Sequence, residues 1–138
     1  MPLKIRLKGH EKILLGNVVI TNGERPAEFH VENKVSILRE KDIMREEAAT
    51  TPARRLYFLV QLMYMDQASL VGYHASYWEL VREIVAAAPS SREHLEEISA
   101  LLLEQDYYHA LKAARRLIGH EGQLLDSACS QDTGNETL

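Results

Sequence analysis

From Leu3 to Arg39 the apolar positions alternate. Leu3, Ile5 and Leu7 are separated by Lys4, Arg6 and Lys8, the period of two of a strand with one buried and one cationic face. EKILLG and NVVITN follow as two further strands, joined at Gly16-Asn17. Asn22-Gly23 is a strong hairpin signal, because both residues tolerate positive φ. AEFHVEN is a fourth strand, with Phe29 and Val31 between polar neighbours, and KVSILR is a fifth. Pro26 falls at a strand start, where its missing N–H costs little. The short link Asn33-Lys34 fits an antiparallel meander.

The period changes after Asp42. Thr51 is a good N-cap and Pro52 suits a first helical position. The spacing predicts a helix from Pro52 to about Leu70, apolar nearly all round and therefore central or covered by a partner. Gly72 separates it from a second helix, Tyr73 to about Ala88, which Pro89 stops. Ser90 and Glu93 read as the capping box of a third helix with Leu95, Ile98 and Leu102 inside. Asp106 caps a fourth, Tyr107 to about Leu125, with Tyr107, Leu111, Ala114 and Ile118 inside. Strands followed by helices predict an α+β fold: a small N-terminal antiparallel β unit of about five strands, then a bundle of about four α-helices. The expected division is 1–45 for the β unit, 46–125 for the bundle and 126–138 for a disordered tail without apolar period.

Composition is that of a globular chain, with 46% hydrophobic and 26% charged residues, so disorder is not the expectation for the bulk of it. The net charge of −4 conceals an asymmetry. Residues 1–55 hold eleven Lys and Arg against eight Asp and Glu, a net +3, and the remainder is −7. A mildly basic first third is compatible with a polyanion partner and too weakly basic for a DNA-coating protein. One cysteine, Cys129, forms no internal disulfide framework. MPLKIRLKGH has no apolar core of a signal peptide, and LYFLVQLMYM is too short to span a bilayer, so no membrane association and a cytoplasmic location are expected.

Catalytic and metal patterns are missing. His120-Glu121 begins like a zinc-protease motif, but the second ligand position is Leu124. The glycines make no phosphate-cradling loop, and no nucleophile elbow exists. The expectation is a protein that is not an enzyme and needs no cofactor. Binding signals are better. Lys4, Arg6 and Lys8 share a strand face, which Lys34 and Arg39 join if the first and fifth strands are neighbours. Such a face suits phosphate contacts, while a solvated face is the simpler reading. Phe29 is the one aromatic residue of the β unit and reads as core. Trp78, Tyr107 and Tyr108 also read as core. Arg54 and Arg55 lie in a first helical turn, where the macrodipole disfavours cations by ~0.3–1 kcal/mol each. Glu46 and Glu47 or an anionic ligand would offset that cost. Lys112, Arg115 and Arg116 form a second cluster, a candidate protein-interaction surface.

MPLKIRLKGHEKILLGNVVITNG, NKVSILREKDIM, TTPARRLYF and YYHALKAARRLI together resemble the FlbT family of bacterial flagellin-synthesis regulators, in order from Met1 to Leu125. The resemblance implies post-transcriptional control through the 5′ untranslated leader of flagellin messenger RNA, affecting its translation and decay, alongside the regulator FlaF. It carries no catalytic residues. The β unit is also similar in pattern to the carbon storage regulator family of RNA-binding β proteins. Gly9-His10-Glu11 and Leu38-Arg39-Glu40-Lys41 depart from that family's turn and last segment. By that analogy Lys4, Arg6 and Arg39 share one RNA-binding edge, strand exchange could make a homo-oligomer, and Glu40, Lys41 and Asp42 bridge to the linker or helices. The RNA-binding candidates are therefore Lys4, Arg6, Lys8, Lys34, Arg39, Arg54 and Arg55. The alternative is a protein-interaction module whose acidic helices hold flagellin or FlaF, with an indirect effect on the message.

Overall fold

The computed structural model describes residues 3–16, 18–66 and 69–136, with side-chain surroundings as far as 128. Contacts divide the chain into two compact units, one of residues 1–43 with 65–67, the other of 44–64 with 68–138. The fold is α+β, with five antiparallel strands in two sheets preceding four α-helices among the described residues.

In the first unit the strands are β1 (Leu3–Leu7), β2 (Lys12–Leu15), β3 (Val18–Thr21), β4 (Ala27–Val31) and β5 (Ile37–Arg39). Strand β1 pairs with β4, and a second sheet has the order β3-β2-β5. The expected meander is thus corrected, since β3 and β4 are not neighbours and β1 and β5 belong to different sheets. Register places Leu3, Ile5 and Leu7 opposite Val31, Phe29 and Ala27, so one face of the pair is apolar. Ile5, Leu7 and Ile13 form the buried centre, against which Leu15, Ile20, Phe29, Val31 and Ile37 pack. Burial of such side chains contributes roughly 1.5–3 kcal/mol each.

Two turns explain the topology. Strand β2 pairs with β3 up to Leu15↔Val18, and Gly16, directly after β2, takes φ +60, the conformation a tight hairpin favours. Asn22-Gly23 makes no such hairpin. Its Asn22 side-chain amide instead donates to the carbonyls of Lys8 (2.8 Å) and Arg25 (2.9 Å), tying two loops together. The local hairpin signal yields to non-local hydrogen bonding.

The second unit contains α1 (Pro52–Met65), α2 (Leu70–Ala87), α3 (Arg92–Leu103) and α4 (Tyr107–Glu136). Helix α1 buries Ala53, Leu56, Tyr57, Leu59, Val60, Gln61 and Met63, as befits an all-round apolar helix. Gln61 Nε2 donates to the Met44 carbonyl (3.0 Å) and its Oε1 accepts the Met44 amide (2.8 Å), so both polar atoms of a buried side chain have a partner. Helix α1 stops at Met65, short of the expected Leu70, and Gly72 lies inside α2. Helix α3 packs along α4, and Leu95, Ile98 and Leu102 of α3 and Ala110, Ala114 and Leu117 of α4 are all buried.

The Ser90 capping box does not form. No side-chain cap closes α3, and Ser90 Oγ lies 2.9 Å from His120 Nε2. Asp106 does cap α4, since its Oδ1 accepts the His109 amide at 3.3 Å. The tail expected to be disordered from residue 126 is helical to Glu136, and Thr137 and Leu138 lie outside the described residues. The side chain of Cys129 is likewise outside the description. Among the described residues no helix is long and apolar enough to cross a membrane.

Candidate nucleic-acid interface

The polar face of β1 is built by its register with β4. Arg6 stands opposite Glu28, and its Nη2 lies 3.0 Å from Glu28 Oε2. Lys4 Nζ reaches Glu28 Oε1 at 3.3 Å. One carboxylate therefore serves two cations, and these hydrogen bonds, Arg6 first, hold the Glu28 carboxyl below the usual glutamate range. The group is open to water, so its pairing with Arg6 and Lys4 is exchangeable with another anion.

The end of β1 turns back through Lys8, Gly9, His10 and Glu11. This turn is tightly held. Glu11 Oε1 accepts the Lys8 amide (2.9 Å), Glu11 N–H bonds the Lys8 carbonyl (3.1 Å), and His10 N–H bonds the Gly23 carbonyl (2.8 Å). Gly9 is required by close approach, because a Cβ there would lie 2.2 Å from the Glu24 carbonyl oxygen. The Lys8 amide, followed by Arg39, lowers the Glu11 pKa.

Arg39, at the end of β5, donates from Nη2 to the Arg6 carbonyl at 2.6 Å and lies 3.5 Å from Glu11 Oε2. It thereby joins the two sheets by its side chain, although β1 and β5 are not paired strands. Glu40 begins a single 3-10 turn, Glu40–Asp42, and its Oε2 accepts the Lys12 amide at 3.2 Å. Glu40 thus serves the β unit itself.

These residues enclose a cleft of about 740 Å3, lined by Arg6, Lys8, Gly9, His10, Glu11, Arg39, Glu40 and Lys41. Of the sequence candidates it brings together Arg6, Lys8 and Arg39. Lys4 stays on the outer face of β1 beside Glu28, and Lys34 is exposed outside the lining. Sequence reasoning missed Lys41 and His10 as cleft residues. The Gly-His turn was visible, but its place beside Arg39 depends on β2 pairing with β5.

Arg54 and Arg55 are exposed in the first turn of α1. Thr51 Oγ1 accepts the Arg54 amide at 3.2 Å, the expected N-cap. A counter-charge reaches this helix end from elsewhere in the chain. Glu121 Oε2, from α4, accepts the Ala53 amide at 3.0 Å and brings a carboxylate to the positive helix end. The second cluster is dispersed into internal contacts. Lys112 sits 5.1 Å from the Tyr108 ring centroid, Arg115 Nη2 donates to the Tyr57 hydroxyl (3.2 Å), and Arg116 pairs with Glu97.

A second concavity lies between α2 and α3. It encloses about 730 Å3 and is mainly apolar, lined by residues that include Trp78, Val81, Val85, Leu95 and Leu103. Trp78 and Tyr108, expected in the core, are 43% and 44% exposed, whereas Tyr107 is buried. His94 and His120 rings lie 4.9 Å apart, a pair no spacing rule suggested. No group of three or more His, Cys, Asp or Glu among the described residues is placed to hold a metal.

Comparison with known proteins adds an independent line. The family described as "Flagellar protein FlbT" matches residues 3–125. The "Probable flagellum biosynthesis repressor protein FlbT 1" of Bradyrhizobium diazoefficiens is 46% identical over 125 residues, covering 90% of this chain and 85% of its own length. The protein named "Probable flagellum biosynthesis repressor protein FlbT" from Rhodopseudomonas palustris strain TIE-1 is 41% identical, over 91% of this chain and 98% of its own. The "Flagellum biosynthesis repressor protein FlbT" of Caulobacter vibrioides strain ATCC 19089 is 36% identical over 94% of each chain. No solved structure matches.

Proposed function

The chain belongs to the FlbT family of flagellar proteins, and from that premise we propose that it regulates flagellum synthesis after transcription, by binding the 5′ untranslated leader of flagellin messenger RNA and controlling its translation and decay. The regulatory half of this reading is supported by the names of its relatives, which are flagellum biosynthesis repressors. The RNA half is carried by one observation, the cleft at the end of β1, where Arg6, Lys8, Arg39 and Lys41 outnumber Glu11 and Glu40.

Both of those carboxylates are already bonded to backbone amides, those of Lys8 and Lys12. A phosphate entering the cleft meets a cationic excess on a turn that needs no rearrangement. Glu28 then acts as an internal competitor, occupying Arg6 and Lys4 until a polyanion displaces it. The reading is of a binding protein without a catalytic step, acting in the cytoplasm on the message.

Binding of a labelled flagellin leader tests this. Arg6→Ala with Lys8→Ala is expected to weaken binding about tenfold or more while the circular dichroism stays that of the wild type. Glu28→Gln is expected to tighten binding, because it frees two cations. A purely structural role for the ion pairs predicts lower stability and no gain in affinity. Leader binding that ignores all three substitutions would sink the proposal.

A second reading rests on the apolar concavity between α2 and α3, where Trp78 and Leu103 are exposed. A protein partner there, FlaF or flagellin, would make the effect on the message indirect. Co-purification with either and no leader binding at low salt would favour it.

A further inference from the structure

His10 is the residue of the cleft that neither charge nor register explains. It is exposed, it lines the cleft, and it holds φ +65, in the left-handed region that favours glycine. A glycine stands next to it, at Gly9, and is needed there because a Cβ would strike the Glu24 carbonyl oxygen. The turn therefore spends its glycine on close approach and carries an imidazole at the conformationally costly position. The backbone cost is sustained by fixed hydrogen bonds: His10 N–H to Gly23 O, Glu11 N–H to Lys8 O, and the Asn22 amide to Lys8 O. A planar ring is thus presented on a rigid turn, with Arg6, Lys8, Arg39 and Lys41 lining the same cleft.

Resting on the RNA reading above, we propose that His10 is the base-stacking residue of this cleft, and that the ligand is an unpaired nucleotide of a single-stranded RNA. The chemistry has two parts. A flat π-face takes any unstacked base, and the surrounding cations take the phosphates that flank it. The volume of about 740 Å3 is that of a small-molecule cleft, roughly 300–1,000 Å3, which suits a nucleotide unit. Of the other rings of the β unit, Phe29 packs on the core, and the exposed His30 lies on β4 opposite Lys4, outside the lining of the cleft. A ring at position 10 also supplies what cationic strands alone lack, a preference for unpaired over paired RNA.

Two variants separate stacking from folding. His10→Asn keeps a residue that tolerates the left-handed turn, and His10→Gly removes the backbone cost altogether. Full-length wild-type and variant proteins are titrated with labelled flagellin leader, a short oligoadenylate bearing 2-aminopurine, and a duplex of the same length. The expected result is a loss of single-strand affinity of roughly 5- to 140-fold in both variants, by the usual worth of one base–aromatic stack. Wild-type protein is expected to change the 2-aminopurine fluorescence and the variants to leave it unchanged. The melting temperature of His10→Gly is expected to equal or exceed that of the wild type, so affinity and stability move in opposite directions. Wild-type binding that persists in both variants, or that is equally strong for the duplex, overturns the stacking role and leaves the RNA function standing. Failure of the wild type to bind either single strand overturns both.

Discussion

Glu28 shows how much a single side chain decides. It faces Arg6 across the strand pair and reaches Lys4 diagonally, so the stripe of cations on β1 is already half neutralised. The cations were legible from alternation alone. Their counter-ion was not, because Glu28 meets them only once β1 pairs with β4. Glu11 has the same character, tied to the Lys8 amide and to Arg39. Both carboxyls have folded pKa values below the ordinary glutamate value of 4.5. A depressed carboxyl contributes stability that is complete above the unfolded pKa and is lost as pH falls through the folded one. Acid unfolding is therefore expected to steepen below about pH 4.5, and Glu11→Gln and Glu28→Gln should each flatten that limb. A stability profile with the same acid slope in both variants would remove these ion pairs from the account.

Elements were read more securely than their partners. Period two and period 3.6 locate the strands and the four helices, because each depends on neighbours in sequence. The failures share a cause. The Asn22 amide is drawn to Lys8 and Arg25, and Ser90 is drawn to His120. In each case a local motif yields to bonding that includes a partner far along the chain, Lys8 for Asn22 and His120 for Ser90. Helix α1 illustrates the same rule at its start, where Thr51 is the foreseeable cap and Glu121 the unforeseeable one. Glu121→Ala is expected to lower stability by about 0.5–2 kcal/mol, the usual cost of losing a cap. Glu121→Gln keeps an acceptor and loses the favourable charge, so it should cost less, of the order of the ~0.3–1 kcal/mol dipole contribution. Equal melting temperatures for wild type and Glu121→Ala would show the amide to be satisfied by water.

At the scale of the molecule, charge is partitioned. Residues 1–55 carry a net +3 and the remainder −7, and the cationic cleft is built wholly from the first group. Overall acidity, with a net charge of −4, limits indiscriminate attraction to nucleic acid. Leader binding should consequently be local and strongly salt-dependent. If the four cations of the cleft each contact a phosphate, the slope of log affinity against log salt is about −3 for a single strand. A slope near zero would point away from phosphate contacts and toward the apolar concavity between α2 and α3.

The bond between Glu121 and the Ala53 amide spans 68 positions of chain. A growing polypeptide emerges from the ribosome in order, so α1 appears long before the carboxylate that closes its first turn. Until that residue clears the exit tunnel, the amino end of α1 has only Thr51 to satisfy it. Completion of the helical unit is therefore a late event in synthesis, and a premature stop ahead of codon 121 would release a product with α1 uncapped from that side.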